Sequence, residues 1–426
     1  MKPERLFSFV YRFIITFIVI YVIYILVKKD YIFGPLTLVY VAFSLSFVWL
    51  TTILWFIADK SNPYKKLPDW MEPFTSVVPV KNERVEKLEQ VLNAIIRSEG
   101  KKQILVGSDG SSNEHIEDYK KLILKLRKEG NDIMLGVFPS KGKNKIQSKL
   151  HTLAKYEIIV NVDSDVMVWN KTFVRLLAPF HDKRVGITNS KIDIVPSKKI
   201  LDKYYRVLYL CANQSGRKTM GRFGLMPSAS GEILAYRKEI LDTNLTKYES
   251  PSFLWGVPIT FGEDRLLTNI ALSLGYKAVY CEDSVGWTWG KNSFVGLIKQ
   301  QLRWRRSWIR ETIRALSFSW RKPLLFINVF FSLVLPIIFS ILIFTLTIRI
   351  ILYQWLLGLL ALPIIAIVTT LIKDTPLLFE DKGLIHKLAI FAIFNLYFIT
   401  PLWLYAAITV DQTDWGSRDT SKSSDV

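Results

Sequence analysis

Two apolar runs open the chain, Phe7 to Val27 and Gly34 to Ile57, each at least twenty residues long and broken only by Arg12. That is the length a helix needs to cross a bilayer. Three more follow a long polar middle: Leu324 to Ile348, Ile351 to Ile372 and Leu388 to Val410. Such runs constrain the fold more than any other feature, because in hydrocarbon every backbone N–H and C=O must be paired internally. The first run is too long, and lacks the small-residue cleavage site, for a removable signal peptide. Against 37 acidic residues stand 56 Lys and Arg, a net charge of +19. Anionic lipid, a phosphorylated substrate and nucleic acid are the partners such an excess suits, and the membrane runs favour the first two. No nucleic-acid partner is expected.

Lys2 and Arg5 precede the first run and the basic middle follows the second, so the excess of positive charge puts both on the cytosolic side. The turn at Lys28-Lys29-Asp30 is then outside. Cys211 and Cys281 are the only cysteines, so there is no disulfide framework and no CxxC pair to hold zinc. Sequons begin at Asn170, Asn213 and Asn244, a pattern short enough to arise by chance and without meaning in a cytosolic domain.

From Asp59 to Lys322 the apolar runs shorten and alternate with amphipathic segments, which predicts an α/β domain with a mostly parallel sheet. Expected strands are Phe74–Val80, Gln103–Gly107, Ile133–Phe138 and Glu157–Val162. Expected helices are Arg84–Ser98, Asn113–Lys128 and Lys145–Leu153. Ligands of such sheets bind at the carboxyl ends of the strands, and the polar motifs fall there.

Ser108-Asp109-Gly110-Ser111-Ser112 follows a strand. Asp109 is placed to hydrogen-bond a uracil or ribose, although Asp-Gly-Ser also makes an ordinary turn. Lys141-Gly142-Lys143-Asn144-Lys145 opens a helix whose N–H groups and lysines can receive a diphosphate; the plain alternative is a solvated basic loop. Asp163-Ser164-Asp165 ends the apolar strand, and two hard oxygen ligands there suit an octahedral Mg²⁺ or Mn²⁺ that also binds phosphate.

Farther on, Gly262-Glu263-Asp264-Arg265 precedes Gln300-Gln301-Leu302-Arg303-Trp304 by about forty residues. A carboxylate and an Arg/Trp platform at that separation suggest one sugar site built from two elements. Asp264 can take a proton from an attacking hydroxyl, Arg303 can hold a departing phosphate, and Trp304 can stack on a sugar face. The structural alternative is a salt-bridged helix followed by an aromatic membrane anchor. Beyond Trp304, Trp308, Thr312, Leu316 and Trp320 recur every four positions and Arg306, Arg310 and Arg314 line another face. That pattern predicts a basic amphipathic helix at the inner membrane surface.

Asp109, the Asp163-Ser164-Asp165 triplet, Gly262-Glu263-Asp264-Arg265 and the Gln300, Arg303, Trp304 run occur in the order and spacing of processive family 2 glycosyltransferases. The chain resembles hyaluronan synthases and the related chitin-type synthases most. The resemblance extends to Ser228-Ala229-Ser230-Gly231 followed by Tyr236-Arg237, and to a terminal Trp415-Gly416-Ser417-Arg418 similar to their WGTR-type motif. It implies a GT-A (Rossmann-like) cytosolic domain inserted between transmembrane helices, a UDP-sugar donor, a growing polysaccharide and a pore through which the polymer leaves.

The implied organisation is two transmembrane helices over 1–58, the catalytic domain over 59–302 and an interface helix over 303–322. A transmembrane or re-entrant region over 323–410 and a cytosolic tail over 411–426 complete it. The protein is then a multi-pass enzyme of the plasma membrane. Implied roles are catalytic base for Asp264, donor binding for Asp109, Lys143, Asp163 and Arg303, and metal binding for Asp163 and Asp165. Gln300, Trp304, Ser230 and Glu263 fall on the acceptor side, with Trp415 and Arg418 gating the donor site.

Two departures separate the chain from hyaluronan synthases: Glu263 stands where they usually carry Asp, as in chitin-type synthases, and Ala229 where they usually carry Cys. UDP-GlcNAc is thus the expected donor, with UDP-glucuronate in alternation as the hyaluronan-type extension. Chitin-type or cellulose-like synthesis and a lipid-linked monosaccharide transferase are the rivals; a non-catalytic transporter or scaffold leaves these carboxylates without a role. Counting spans exposes a conflict. Five crossings from a cytosolic N-terminus would leave Trp415 outside, so Pro376–Val410 is expected to be a re-entrant or paired segment.

Overall fold

The computed structural model describes residues 35–353 and 385–412, apart from positions 61, 65–66, 140–141, 198, 254–255 and 292, together with single positions in the flanking stretches. The chain divides into two compact units. One comprises Ser61–Pro251 and Pro258–Asn292 with Asp414–Val426, the other Met1–Lys60, Ser252–Val257 and Ser293–Thr413. Most of the first run, and Trp415 and Arg418, lie outside the described residues.

The first of these units is built on an eight-stranded sheet. Its strands are β1 (Phe74–Val80), β2 (Lys102–Asp109), β3 (Ile133–Phe138), β4 (Ile158–Val162), β5 (Met167–Val168), β6 (Val185–Ile194), β7 (Ile233–Arg237) and β8 (Lys277–Thr288). They lie in the order β3-β2-β1-β4-β7-β6-β8-β5. The β3-β2-β1-β4 half is parallel, as expected. Beyond it, β7 runs antiparallel to both β4 and β6, and β8 returns parallel to β6. The sheet is therefore mixed, with six strands running one way and β7 and the short β5 opposing them. β1 is buried at every position, as a central strand covered on both faces must be.

Helices α1 (Pro35–Lys60), α2 (Val85–Arg97), α3 (Asn113–Lys128) and α4 (Lys143–Thr152) come next in chain order. α2 buries Leu88, Val91, Leu92 and Ile95, the spacing of one apolar helical face. Ser112 caps α3, its hydroxyl accepting from His115 N–H, and Tyr119, Leu122, Ile123 and Leu126 face inward. Further helices are α5 (Thr172–Leu177), α6 (Ile200–Cys211) and α7 (Glu263–Ser273).

The second unit contains α1 with α8 (Phe294–Ser319), α9 (Pro323–Tyr353), α10 (Ile385–Phe394) and α11 (Leu402–Ile408). Among the described residues two helices are long and apolar enough to cross a membrane, Pro323–Leu352 and His386–Ile408. They pack antiparallel: Ser340 Oγ donates to Thr400 O at 2.7 Å, and Ile343 and Ile350 share a core with Ala392 and Leu396.

α8 departs from the expected surface helix. It starts at Phe294, so it carries the Gln300 to Trp304 motif within it, and two of its arginines are interior. Arg310 is 1% exposed and Arg306 7%. Arg310 Nη1 donates to Val410 O at 2.9 Å, and Arg306 donates to Thr409 Oγ1 and to the Gln412 side chain. These charges hold the carbonyl end of α11, where donors are needed, rather than facing lipid headgroups.

Candidate active site

The parallel strands β1, β2 and β4 end at one edge of the sheet. β7 runs antiparallel to β4, with Ile233 opposite Val162, so the segment entering β7 arrives where β4 leaves. Ser230-Gly231-Glu232 thereby lies beside Asp163, whose N–H donates to Glu232 O at 3.0 Å.

Two helix starts complete the site. Gly262, left-handed at φ 96° and ψ 24°, turns the chain into α7 so that Glu263 and Asp264 occupy its first turn. Gly142, at φ 102°, does the same ahead of Lys143 in α4. Asn144 fixes that turn by donating to Tyr248 O and Glu249 O at 3.1 and 3.0 Å.

Lys143 stands at the centre. Its ammonium lies 2.6 Å from Asp163 Oδ1 and 2.8 Å from Glu263 Oε1. Burial works against this cation, but the two carboxylates outweigh it and raise its pKa above the lysine range. Glu263 is held further by Gly262 N–H, which donates to Oε2 at 3.0 Å. Asp163 is pushed upward mainly by burial, with Lys143 opposing and Asp165 and Glu232 adding to the rise. Burial, then Glu263, push Asp264 up to about 7, against Lys143 and the Arg265 N–H that donates to Oδ1 at 2.8 Å. A carboxyl poised there can accept a proton near neutral pH.

The other expected residues are placed as follows. Asp109 ends β2 and is nearly buried; Gly142 N–H donates to its Oδ1 at 3.3 Å and Lys81 Nζ is 4.0 Å from Oδ2. Asp165 is half-buried two residues beyond Asp163, with Thr288 Oγ1 donating to its carbonyl at 3.3 Å. Ser230 is turned inward: its N–H and hydroxyl donate to Asn189 Oδ1 at 3.1 and 3.3 Å. It shapes the segment instead of offering a free hydroxyl. Gln300, Arg303 and Trp304 are half-buried on α8, in the second unit, and their i, i+3, i+4 spacing sets them on one stripe of that helix.

Sequence reasoning quoted Gly231 without giving it a role, and missed Glu232 and Tyr209. An ideal Cβ on Gly231 would lie 3.4 Å from Lys143 Nζ and 3.5 Å from Asp264 Oδ2, so this glycine keeps open the space between cation and carboxylate. Glu232 follows it, and the buried Tyr209 on α6 donates its phenol to Glu232 Oε1. The only linear signal was an acidic residue directly before an apolar strand, the mirror image of Asp163 directly after one.

Known proteins similar to the chain point the same way. A family model described as glycosyltransferase like family 2 matches residues 72–307. Hyaluronan synthase from Streptococcus pyogenes is 26% identical over 412 residues, covering 94% of this chain and 95% of that protein. An N-acetylglucosaminyltransferase from Mesorhizobium japonicum is 27% identical, covering 82% and 83%. Among solved structures, the mannosyltransferase PcManGT from Pyrobaculum calidifontis, in complex with GDP-Man and Mn²⁺, matches with a TM-score of 0.56 at 17% identity. That match covers 85% of this chain and 97% of that one. The fold is GT-A.

Proposed function

Because the chain belongs to glycosyltransferase family 2, we propose that it is a membrane-embedded synthase that lengthens a β-linked polysaccharide from UDP-GlcNAc and passes it through its own helices. One observation carries the reading: Asp163, Lys143, Glu263 and Asp264 meet at the strand ends, a cation between carboxylates beside a carboxyl poised near neutrality. The catalytic unit is cytosolic and the apolar helices lie in the plasma membrane.

Transfer is a single displacement with inversion. Asp264 takes the proton of the acceptor hydroxyl, whose oxygen forms a bond to the anomeric carbon of the donor. The bond from that carbon to the diphosphate breaks, and UDP leaves with its electron pair. Asp109 holds the uridine and Lys143 the diphosphate. For Gln300, Arg303 and Trp304 the proposal keeps the sequence-implied roles, acceptor, leaving group and sugar stacking.

Among the described residues no group of three or more His, Cys, Asp or Glu forms a ready-made metal cage. Asp163 and Asp165 nevertheless fit a hard cation that keeps one or two carboxylates and takes its remaining ligands from phosphate and water. A Mg²⁺ or Mn²⁺ there would neutralise charge on the departing diphosphate. The Mn²⁺ in the mannosyltransferase complex supports this choice.

A second reading, UDP-GlcNAc alternating with UDP-glucuronate, draws on the similarity to hyaluronan synthase over 94% of the chain. The test of function is UDP release by purified full-length protein in detergent with Mn²⁺, given UDP-GlcNAc, UDP-glucose or UDP-glucuronate singly. Release from UDP-GlcNAc is expected. Release from UDP-glucose alone would overturn the sugar, and release from none would overturn the enzyme.

A further inference from the structure

Glu232 has no part in the displacement above, yet the fold places it within the site. Its carbonyl is bonded to Asp163 N–H and its carboxylate to the Tyr209 phenol. Burial first, then Glu232, raise the Tyr209 pKa well above the usual range, so Tyr209 remains a neutral donor that fixes this carboxylate. The preceding residue is Gly231, where a Cβ would lie 3.4 Å from Lys143 Nζ and 3.5 Å from Asp264 Oδ2, so the backbone leading into Glu232 borders the Lys143–Asp264 gap. Glu232 therefore stands by the space between the leaving-group side of the site and its base.

In that space the transferred sugar must lie, if the site works as proposed above; the inference rests on that reading. We propose that Glu232 is a specificity-determining residue that selects uncharged donor sugars, a hexosamine or hexose, over a uronate.

Overall positive charge attracts every UDP-sugar alike and so decides nothing between them. Locally the balance is reversed. With Asp163 and Asp165 offset by the cation they would hold, a sugar carboxylate entering here still meets Glu232, Glu263 and Asp264, and Lys143 is already paired with Asp163 and Glu263. Like charges brought together in a partly buried site repel strongly, and rejection of this kind separates ligands that share every other contact. A neutral sugar meets no such penalty. Its hydroxyl or acetamido N–H can donate to the oxygens of Glu232, a charge-assisted bond.

The experiment measures the affinities of UDP, UDP-GlcNAc and UDP-glucuronate for full-length wild type and Glu232→Gln by calorimetry. Gln keeps the shape and can still accept from Tyr209. Wild type is expected to bind UDP-glucuronate at least about tenfold more weakly than UDP-GlcNAc, the size of a single modest charge repulsion. In Glu232→Gln that ratio should shrink about tenfold while UDP affinity stays within about twofold. An unchanged ratio in Glu232→Gln, or wild type binding both sugars equally, would overturn the assignment. Failure of wild type to bind any UDP-sugar would instead overturn the proposed function itself.

Discussion

Asp264 carries the sharpest expectations at the residue scale. Replacing it with Asn removes the proton acceptor but leaves Asp109, Lys143 and Asp163 in place. Transfer should drop by about 10²–10⁴-fold, the usual cost of losing a general base, while donor affinity by calorimetry stays within a few-fold. Near-wild-type synthesis by Asp264→Asn would remove it from the mechanism. Its pKa also fixes the pH profile. Burial and Glu263 favour the protonated acid, so the active carboxylate is the minor form below about 7 and the major form above it. Initial-rate kcat/KM should rise with pH up to about 7 and then level, and a profile flat from pH 5 to 8 would contradict the role.

Lys143→Met tests the centre differently. Asp163 and Glu263 would lose the ammonium between them, two charge-assisted bonds of a class worth about 1.5–3 kcal/mol each. Part of that is offset because all three side chains keep some exposure. A lower melting temperature together with weaker UDP binding is the expected pair of results. A change in neither would mean that the triad is dispensable.

Among the elements, the parallel half of the sheet was legible in the sequence because β1, β2, β3 and β4 are short runs rich in apolar residues and bounded by turn residues. The half beyond β4, where β7 reverses direction, was not. β6 interrupts its apolar residues Val185, Ile187, Ile192 and Ile194 with buried Thr188, Asn189 and Ser190, which breaks its apolar signature; Asn189 is there to bond Ser230 and the Ile233 carbonyl. β8 carries Glu282 and Asp283 across a register shift between Cys281 and Val285. Glu282 is anchored by Lys218 and Arg222, at 2.9 Å each, partners distant in sequence. Strand-end residues such as Asp109 and Asp163 were accordingly readable, whereas Glu232 depends on β7 pairing with β4.

α8 raises an equivalent point in the second unit. Its arginine spacing read as the basic face of a helix at the inner membrane surface, and only the return of α11 shows that Arg306 and Arg310 hold that helix end. Burial draws the Arg310 pKa down to about 10, which leaves it cationic at neutral pH. Arg310→Met should destabilise the protein by about 1–3 kcal/mol, the cost of buried carbonyls without a donor, as read from denaturant unfolding in detergent. The same contacts bear on topology. Pro323–Leu352 leaves α8 and His386–Ile408 returns to it, an antiparallel pair that brings residue 412 back to the level of Arg310. A cysteine at Ser421, in a background lacking Cys211 and Cys281, should thus resist an impermeant thiol reagent applied to intact cells. Efficient labelling from outside would mean an odd number of crossings.

Taken whole, the molecule joins a GT-A unit to apolar helices, and the central claim is that this combination makes a long polymer from UDP-GlcNAc. The direct measurement is incorporation of labelled GlcNAc by the purified full-length protein with UDP-GlcNAc alone, UDP-glucuronate alone, and both. Products would be sized on a gel and digested with chitinase or hyaluronidase. Long, chitinase-sensitive polymer from UDP-GlcNAc alone, unchanged by UDP-glucuronate, is the predicted result. Hyaluronidase-sensitive polymer that forms only with both donors would contradict the role given to Glu232, and no polymer from any combination would contradict the claim itself.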